Sequence, residues 1–230
     1  MGRVVFHGHA TFEVALSDGT RLLIDPFFTG NPAATVGLEH FDDGLDFLLL
    51  THGHADHVAD AWNIIERTGC TVISSVELCT YVSDVLGHGD THPMSIGGGF
   101  GFPFGRVEMT PALHGGRLDA PGGEGYTCPP AGFLLEIEGA GLYFAGDTGL
   151  TREMELLRDR VDVAMLPIGD NFTMGPRDAA RAVGMIGPDI VVPCHYNTFD
   201  VIHQDPARFA DLVGDAAEVR VLEAGESLEF

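Results

Sequence analysis

The chain has 230 residues, 45% of them hydrophobic, and its 34 acidic side chains outnumber 12 basic ones to give a formal net charge of −22. Such an acidic composition argues against nucleic-acid binding, which depends on clustered lysine and arginine. No apolar run approaches the ~20 residues that a membrane span requires, and the N-terminus lacks the pattern of a signal peptide. We therefore expect a cytoplasmic protein, one domain over residues 1–230, that binds neither nucleic acid nor membranes.

All of the basic residues are arginine, and the sequence contains no lysine. An acid excess with this bias is typical of proteins from halophiles that accumulate salt in the cytosol. Repulsion among the acidic groups is screened at high ionic strength, so the sequence predicts stability that rises with added KCl. The four cysteines lack C-x-x-C spacing and are expected to be buried free thiols in a reducing compartment.

Periodicity and turn residues predict alternating strands and helices. Three short strands come first, over residues 3–7, 11–16 and 20–24, with Ser17-Asp18-Gly19 as a hairpin turn. Residues 29–44 and 115–130 are rich in glycine or proline and are expected to form loops. The further predicted strands cover 45–50, 71–74, 106–111, 132–138, 142–145, 161–166, 189–193 and 218–222. The predicted helices cover 58–67, 76–86, 153–159, 176–186 and 206–213.

The segment with the most potential metal ligands is His52-Gly53-His54-Ala55-Asp56-His57. It comes directly after the apolar run Phe47-Leu48-Leu49-Leu50. Imidazole and carboxylate ligands together suit Zn²⁺ and other borderline divalent ions. His52 and His54 are two residues apart, so on an extended chain they can point the same way. Asp56 and His57 follow where a helix is predicted to begin. The competing interpretation is a solvent-facing polar loop in which Asp56 only caps that helix.

Three more potential ligands follow the ends of later strands, where α/β sheets usually place their chemistry. They are His114 after strand 106–111, Asp147 after strand 142–145 and His195 after strand 189–193. With the motif, they supply enough ligands for two metals that each keep open positions. By reach, the sequence predicts one ion on His52, His54 and His114, a second on Asp56, His57 and His195, and a bridge at Asp147.

Other histidines near the first strands are assigned separately. His7 is expected to face solvent, as lone loop histidines usually do. For His9 a surface role and a site role remain open. Asp25, at the end of strand 20–24, is predicted to support a ligand histidine. His88 and His92 are expected to flank a turn and to have structural roles.

At this point the chain resembles the metallo-β-lactamase superfamily over nearly its whole length. The resemblance is closest to uncharacterised metal-dependent hydrolases related to L-ascorbate-6-phosphate lactonase and to the N-acylphosphatidylethanolamine phospholipase D group. The stretches that carry it are Gly8-His9-Ala10-Thr11-Phe12, Asn171-Phe172-Thr173-Met174-Gly175-Pro176 and His195-Tyr196-Asn197-Thr198-Phe199. His114-Gly115-Gly116 departs from the small hydroxyl residues expected there in this branch, and a long glycine-rich insert follows it.

The resemblance implies an α/β fold, the four-layer αββα sandwich of two mixed sheets with helices outside. It also implies a dinuclear hydrolase that attacks with a metal-bridging hydroxide. Asp56 is the predicted catalytic proton carrier, and His9, Asn197 and Thr198 are predicted to contact the substrate or to support the ligands. Two divalent ions, two ligand carboxylates and a hydroxide sum to about +1, which favours a small anionic ester or lactone.

Two other functions remain open from the sequence. One is a phosphodiesterase of the same fold, and the other is a non-catalytic binding protein stabilised by metal. The two ions are expected to be zinc or manganese, and the expected partner is a small-molecule substrate. A homo-oligomer is expected only from its general frequency among soluble proteins.

Overall fold

The computed structural model describes residues 1–230, which form fourteen strands, five α-helices and short 3₁₀ turns. The strands are β1 (Arg3–Phe6), β2 (Phe12–Ala15), β3 (Arg21–Ile24), β4 (Phe47–Leu49), β5 (Thr71–Ser75), β6 (Thr91–Met94), β7 (Gly99–Phe102), β8 (Gly105–Pro111), β9 (Ala131–Ile137), β10 (Ala140–Phe144), β11 (Val163–Pro167), β12 (Ile190–Cys194), β13 (Glu218–Val219) and β14 (Ser227–Glu229). The helices are α1 (Ala55–Val58), α2 (Ala61–Thr68), α3 (Val76–Asp84), α4 (Pro176–Ile186) and α5 (Pro206–Val213). None of these helices has both the length and the apolar composition needed to cross a membrane.

The chain folds into two compact units. The first contains residues 1–96, 115–130 and 223–230, and the second contains residues 97–114 and 131–222. Because both units are assembled from discontinuous stretches, no single cut in the chain separates them. One domain over residues 1–230 stays a prediction.

The first unit is built on a seven-stranded sheet in the order β14-β1-β2-β3-β4-β5-β6. Strands β14 to β3 pair antiparallel with their neighbours, and β3 to β6 pair parallel. The interior strand β4 is apolar and packs Leu48 in a cluster with Val72, Ile64 of α2 and Tyr81 of α3. Since β3 and β4 are parallel neighbours, the residues that follow them meet at the same edge of the sheet.

The second unit is built on a seven-stranded sheet in the order β13-β12-β11-β10-β9-β8-β7. Strands β10 to β13 pair parallel, while β7 to β10 pair antiparallel. Helix α4 buries Ala179, Val183 and Ile186 on one face, at the spacing of an amphipathic helix. β8 and β10 are both antiparallel to β9 and therefore run the same way. The chain thus leaves β8, β10 and β12 at one edge of this sheet.

The structure differs from the predicted strands at the outermost strands of both sheets. β6, β7 and β14 were not predicted, and β13 is shorter than the predicted strand 218–222. All four are edge strands. β6 includes Pro93, which an edge strand tolerates because one side of it needs no ladder hydrogen bond. His92 therefore lies in a strand and not in a turn, whereas His88 donates to the carbonyl of Cys70 through Nε2.

The predicted helix 58–67 is two helices, α1 and α2, separated at Asp60. The carboxylate of Asp60 accepts hydrogen bonds from the backbone N–H groups of Phe28 at 2.7 Å and Thr29 at 2.8 Å. Its own N–H donates to the carbonyl of Pro26 at 3.2 Å. These bonds tie Asp60 to a distant loop and hold its backbone outside the helical region. The predicted helix 153–159 is likewise replaced, by a 3₁₀ helix over Arg152–Leu157.

Candidate metal centre

The H-x-H-x-D-H motif lies immediately beyond β4 in the first unit. His52 is buried and His54 is half-buried. Nε2 of His52 and Nδ1 of His54 are 3.1 Å apart. Two nitrogens bound to one tetrahedral zinc ion at 2.0–2.1 Å are separated by about 3.3 Å. This pair therefore has the spacing that a shared ion requires.

Asp25 orients His57 from the end of the neighbouring strand β3. Its carboxylate accepts hydrogen bonds from the N–H of Thr51 at 2.8 Å, from the Thr51 hydroxyl at 2.5 Å and from Nδ1 of His57 at 2.7 Å. A carboxylate can only accept, so the proton of His57 lies on Nδ1, and Nε2 carries the lone pair that a metal needs. The predicted contact of Asp25 with a histidine of the motif is confirmed. Metal binding by His57 stays a prediction.

His9 lies beside Asp56 in the same unit, with Nε2 of His9 3.1 Å from Oδ2 of Asp56. A tight turn places it there: Gly8 has φ 97°, and the N–H of Thr11 donates to the carbonyl of Gly8 at 3.0 Å. His9 itself has φ 58°, a left-handed conformation that is costly for a residue with a side chain. The structure thus brings a predicted substrate or supporting residue against the predicted proton carrier.

In the second unit, three predicted ligands meet at the sheet edge where β8, β10 and β12 end. Oδ2 of Asp147 lies 3.0 Å from Nε2 of His195 and 3.4 Å from Nε2 of His114. Asp147 and His195 are buried. Both distances match the separation of two ligand atoms on one ion. Oδ2 of Asp147 therefore has the spacing of a metal ligand relative to each of the two imidazoles.

The loops that carry these three residues are locked to one another. The hydroxyl of Thr148 accepts a hydrogen bond from the N–H of Leu113 at 2.9 Å, which joins the segment before His114 to the segment after Asp147. A Cβ at Gly169 would lie 2.4 Å from the carbonyl oxygen of His195. Only glycine allows this close approach, and it fixes the loop after β11 against the loop after β12.

Two further predicted site residues lie just beyond β12. Asn197 is exposed, and its side-chain oxygen accepts a hydrogen bond from the N–H of Gln204 at 2.8 Å. Thr198 is buried, and its hydroxyl donates to the carbonyl of Tyr196 at 3.4 Å. Both side chains thus shape the loop after β12, and their contact with a substrate stays a prediction.

The expectation that His7 faces solvent is wrong, because the structure buries it in a network that sequence analysis missed. Oε2 of Glu13 lies 3.2 Å from Nε2 of His7 and 2.8 Å from Nε2 of His40, and Oε1 accepts from Nε of Arg21 at 2.9 Å. Burial by itself raises the pKa of Glu13. The hydrogen bonds from His7, Arg21 and His40, with the charge of Arg21, outweigh burial and lower that pKa to about 2.

The positions of Glu13 and Arg21 in the predicted hairpin of β2 and β3 could have indicated this network. Glu13 lies opposite Leu23 and diagonal to Arg21 on the antiparallel pair β2–β3, a relation in which long opposite charges interact. The guanidinium supplies the positive charge at Glu13, so the group is an ion-paired network and not a second cation site.

Comparisons with known proteins show the family to which the chain belongs. A family model described as beta-lactamase superfamily domain matches residues 20–196. A UPF0173 metal-dependent hydrolase from Shouchella clausii is 46% identical over 232 residues, which cover 99% of this chain and 100% of that protein. Another, from Heliobacterium modesticaldum, is 47% identical over 241 residues, covering 99% and 97%. The chain belongs to the UPF0173 family of metal-dependent hydrolases.

A solved structure described as Igni18, a novel metallo hydrolase from the archaeon Ignicoccus hospitalis, shares 34% identity with this UPF0173 chain. The match has a TM-score of 0.87 and covers 100% of this chain and 99% of that one. The predicted superfamily and the predicted α/β metallo-β-lactamase sandwich are therefore confirmed. The relation to L-ascorbate-6-phosphate lactonase and the role of each predicted site residue stay predictions.

Proposed function

We propose that this UPF0173 protein is a hydrolase that holds two divalent ions, zinc or manganese, and cleaves small anionic esters or lactones. The observation that carries the proposal is the position of Oδ2 of Asp147, within 3.4 Å of imidazole nitrogens from two other strand ends. An oxygen placed in this way suits a bridge between two ions. A purely structural ion closes its own ligand shell and has no use for a shared oxygen.

The proposed ligand sets divide the candidate residues between the two ions. The 3.1 Å spacing of the His52 and His54 nitrogens and the tautomer of His57 support these sets. Bound ions supply an acidified water at neutral pH and stabilise negative charge on the acceptor oxygen. The proposed ligands are His52, His54 and His114 for one ion, Asp56, His57 and His195 for the other, and Asp147 for both.

The remaining steps belong to side chains of this chain. Asp25 keeps the proton of His57 on Nδ1 and so fixes the direction in which its Nε2 points. His9 donates from Nε2 to Oδ2 of Asp56 and holds that carboxylate in one orientation. Asp56 receives the proton that the attacking water loses and delivers it to the leaving group. Asn197 and Thr198 are the proposed substrate contacts beyond β12.

Metal analysis and the variant Asp147→Ala test the dinuclear site. Wild-type protein saturated with Zn²⁺ or Mn²⁺ is expected to hold about two ions per chain, and the variant about one or fewer, because the shared oxygen is lost. Asp211, exposed on α5, gives the matched control Asp211→Ala, which should keep the wild-type metal content. A wild-type content below one ion per chain after saturation would contradict the proposal.

A substrate panel tests the reaction. Lactones, carboxyl esters and phosphodiesters are assayed with wild-type, Asp147→Ala and Asp211→Ala protein at high salt. We expect hydrolysis of anionic esters or lactones by the wild type and by Asp211→Ala, and its loss in Asp147→Ala. Turnover of phosphodiesters alone would support the second candidate of the same fold. Full activity in Asp147→Ala would reject the bridging role, and stable metal binding without any turnover would indicate a binding protein.

A further inference from the structure

The glycine-rich loop over residues 115–130 packs against the H-x-H-x-D-H motif of the first unit. The N–H of Asp119 donates to the carbonyl of Gly53, between His52 and His54, at 2.7 Å. A Cβ at Gly53 would lie 2.8 Å from Cδ1 of Leu118 and 3.0 Å from the carbonyl oxygen of Arg117. The backbone of Arg117 is therefore in contact with the residue that separates the two motif histidines.

The direction of the Arg117 side chain follows from the alternation of this segment. Arg117 pairs antiparallel with Thr127, so the chain is extended here. Leu118 points into the apolar core of the unit, whereas a Cβ at Gly115 would lie 3.4 Å from Cε1 of His54. Residues two apart on an extended chain share a face, at a separation of about 7 Å. Arg117 thus lies on the face of Gly115 that looks toward His54, and its side chain is 77% exposed.

The loop holds the guanidinium in a defined orientation. Nε of Arg117 is paired with Oδ1 of Asp119 at 2.5 Å, so the edge formed by the two terminal nitrogens is turned away from that carboxylate. The loop itself is anchored by Tyr81, whose hydroxyl donates to the carbonyl of Pro121 at 2.6 Å, and by Cys128, whose N–H donates to the carbonyl of Gly116 at 2.7 Å. A held guanidinium edge is the geometry that binds carboxylate and phosphate oxygens in pairs.

The strongly negative net charge of the molecule makes the position of each arginine important for binding an anion. The net charge of −22 repels anions at a distance, so a cation beside the proposed ions would add to the local attraction for an anionic substrate. The first unit contains four arginines: Arg3 on β1, Arg21 and Arg67, which are paired with Glu13 and Asp42, and Arg117, which is paired with Asp119. Arg117 is the one whose backbone touches the motif. The backbone before it is held close to the rest of the loop, because a Cβ at Gly116 would lie 2.1 Å from the carbonyl oxygen of Cys128.

We propose that Arg117 binds the anionic group of the substrate and so determines specificity. This inference rests on the proposed function, because it assigns a role at that same site. The substrate class it selects is an ester or lactone with a carboxylate or phosphate a short distance from the scissile bond. Arg117 touches the substrate but not the reacting atoms, so its effect is expected on binding and not on the chemical step.

The test compares Arg117→Ala and Arg117→Lys with the control Arg67→Ala, which removes another exposed arginine of the same unit that is paired with an aspartate. On an anionic substrate from the panel, Arg117→Ala should raise KM by about ten- to a hundredfold with kcat nearly unchanged, the loss of a charge-assisted contact. KM for the matched neutral ester and the metal content should stay at wild-type values. Arg117→Lys should recover part of the loss, since lysine keeps the charge but not the paired donors.

A binding measurement makes the test independent of turnover. Calorimetry with phenylphosphonate, on metal-saturated protein, should show tight binding by the wild type and by Arg67→Ala and binding weakened at least tenfold in Arg117→Ala. Equal losses for anionic and neutral esters would mean that the substitution only disturbs the loop, and would overturn the proposal. Unchanged phosphonate binding in Arg117→Ala would overturn it too. If no ester is cleaved but the phosphonate result is as expected, the proposed reaction fails while the anion site stands.

Discussion

Two buried carboxylates of the first unit, Asp25 and Glu13, both contact histidines but have different roles. Asp25 uses its hydrogen bonds to hold Thr51 and to fix the tautomer of His57, and so prepares a metal ligand. Glu13 contacts His7, His40 and Arg21, and the guanidinium of Arg21 neutralises the charge of its carboxylate. The difference lies in the guanidinium, because a fixed positive charge beside a carboxylate leaves little affinity there for a further cation.

The network around Glu13 makes a prediction about acid stability. The folded-state pKa of about 2 is below the ordinary value of 4.5, so the unfolded state binds more protons between these values. The stabilisation is therefore complete above pH 4.5 and is lost as the pH falls toward 2. By the size of the shift it amounts to about 3 kcal/mol. Glu13→Gln should lose this amount of unfolding free energy at pH 7, measured by urea denaturation.

The same experiment at lower pH separates the charge of Glu13 from its packing. The difference between wild type and Glu13→Gln should narrow as the pH is lowered below 4.5, because only the wild type has a proton to gain. The control Glu66→Gln, exposed on α2, should stay within about 0.5 kcal/mol of wild type throughout. A difference that does not change with pH would contradict an electrostatic origin.

At the scale of elements, the break between α1 and α2 is a long-range effect. The sequence around Ala59 and Asp60 has no proline or glycine, so nothing local predicts that a helix ends there. The break occurs because the Asp60 carboxylate satisfies two N–H groups of the loop after β3. That loop and the chain between α1 and α2 are thereby fixed to one another, with Asp56 and His57 on α1.

Removal of this carboxylate tests its structural role. Asp60→Ala leaves the buried N–H of Phe28 and the part-buried N–H of Thr29 without their acceptor, and we expect a loss of about 3 kcal/mol of unfolding free energy in urea denaturation. Asp60→Asn keeps one side-chain oxygen as acceptor and should lose less. An alanine variant as stable as the wild type would show that the loop holds its conformation without Asp60.

Edge strands explain the other errors of element prediction. Central strands such as β4, β9 and β11 are apolar enough to be predicted, and β9 and β11 have nearly every residue buried. Edge strands pair on one side only and bury less, so their sequences carry a weaker pattern. β7, with the sequence Gly-Phe-Gly-Phe and three exposed residues, is an example. Its identity as a strand comes from its pairing with β8, and a local window does not contain that partner.

At the scale of the whole molecule, the dominant feature is a charge of −22 without a single lysine. Mutual repulsion of so many carboxylates opposes folding at low ionic strength and is reduced when salt screens it. We expect the melting temperature to rise from dilute buffer to molar KCl. Sucrose at matched osmolality is the control, because it favours burial by exclusion from the protein surface but does not screen charge. A melting temperature that is flat in KCl would contradict this prediction.

The sequence by itself supplied the candidate ligands and, through the family resemblance, the class of fold. Strand-forming apolar runs are local, and each candidate ligand or its motif directly follows one of them, so the rule that chemistry gathers at strand ends was enough to select the candidates. They are His52, His54, Asp56, His57, His114, Asp147 and His195. The tertiary structure alone decided that one oxygen of Asp147 faces two imidazoles, that Asp60 divides a helix and that His7 is buried against Glu13. The physical reason is that these contacts join residues whose separation depends on strand order and loop path. Neither is encoded in the local pattern of side chains.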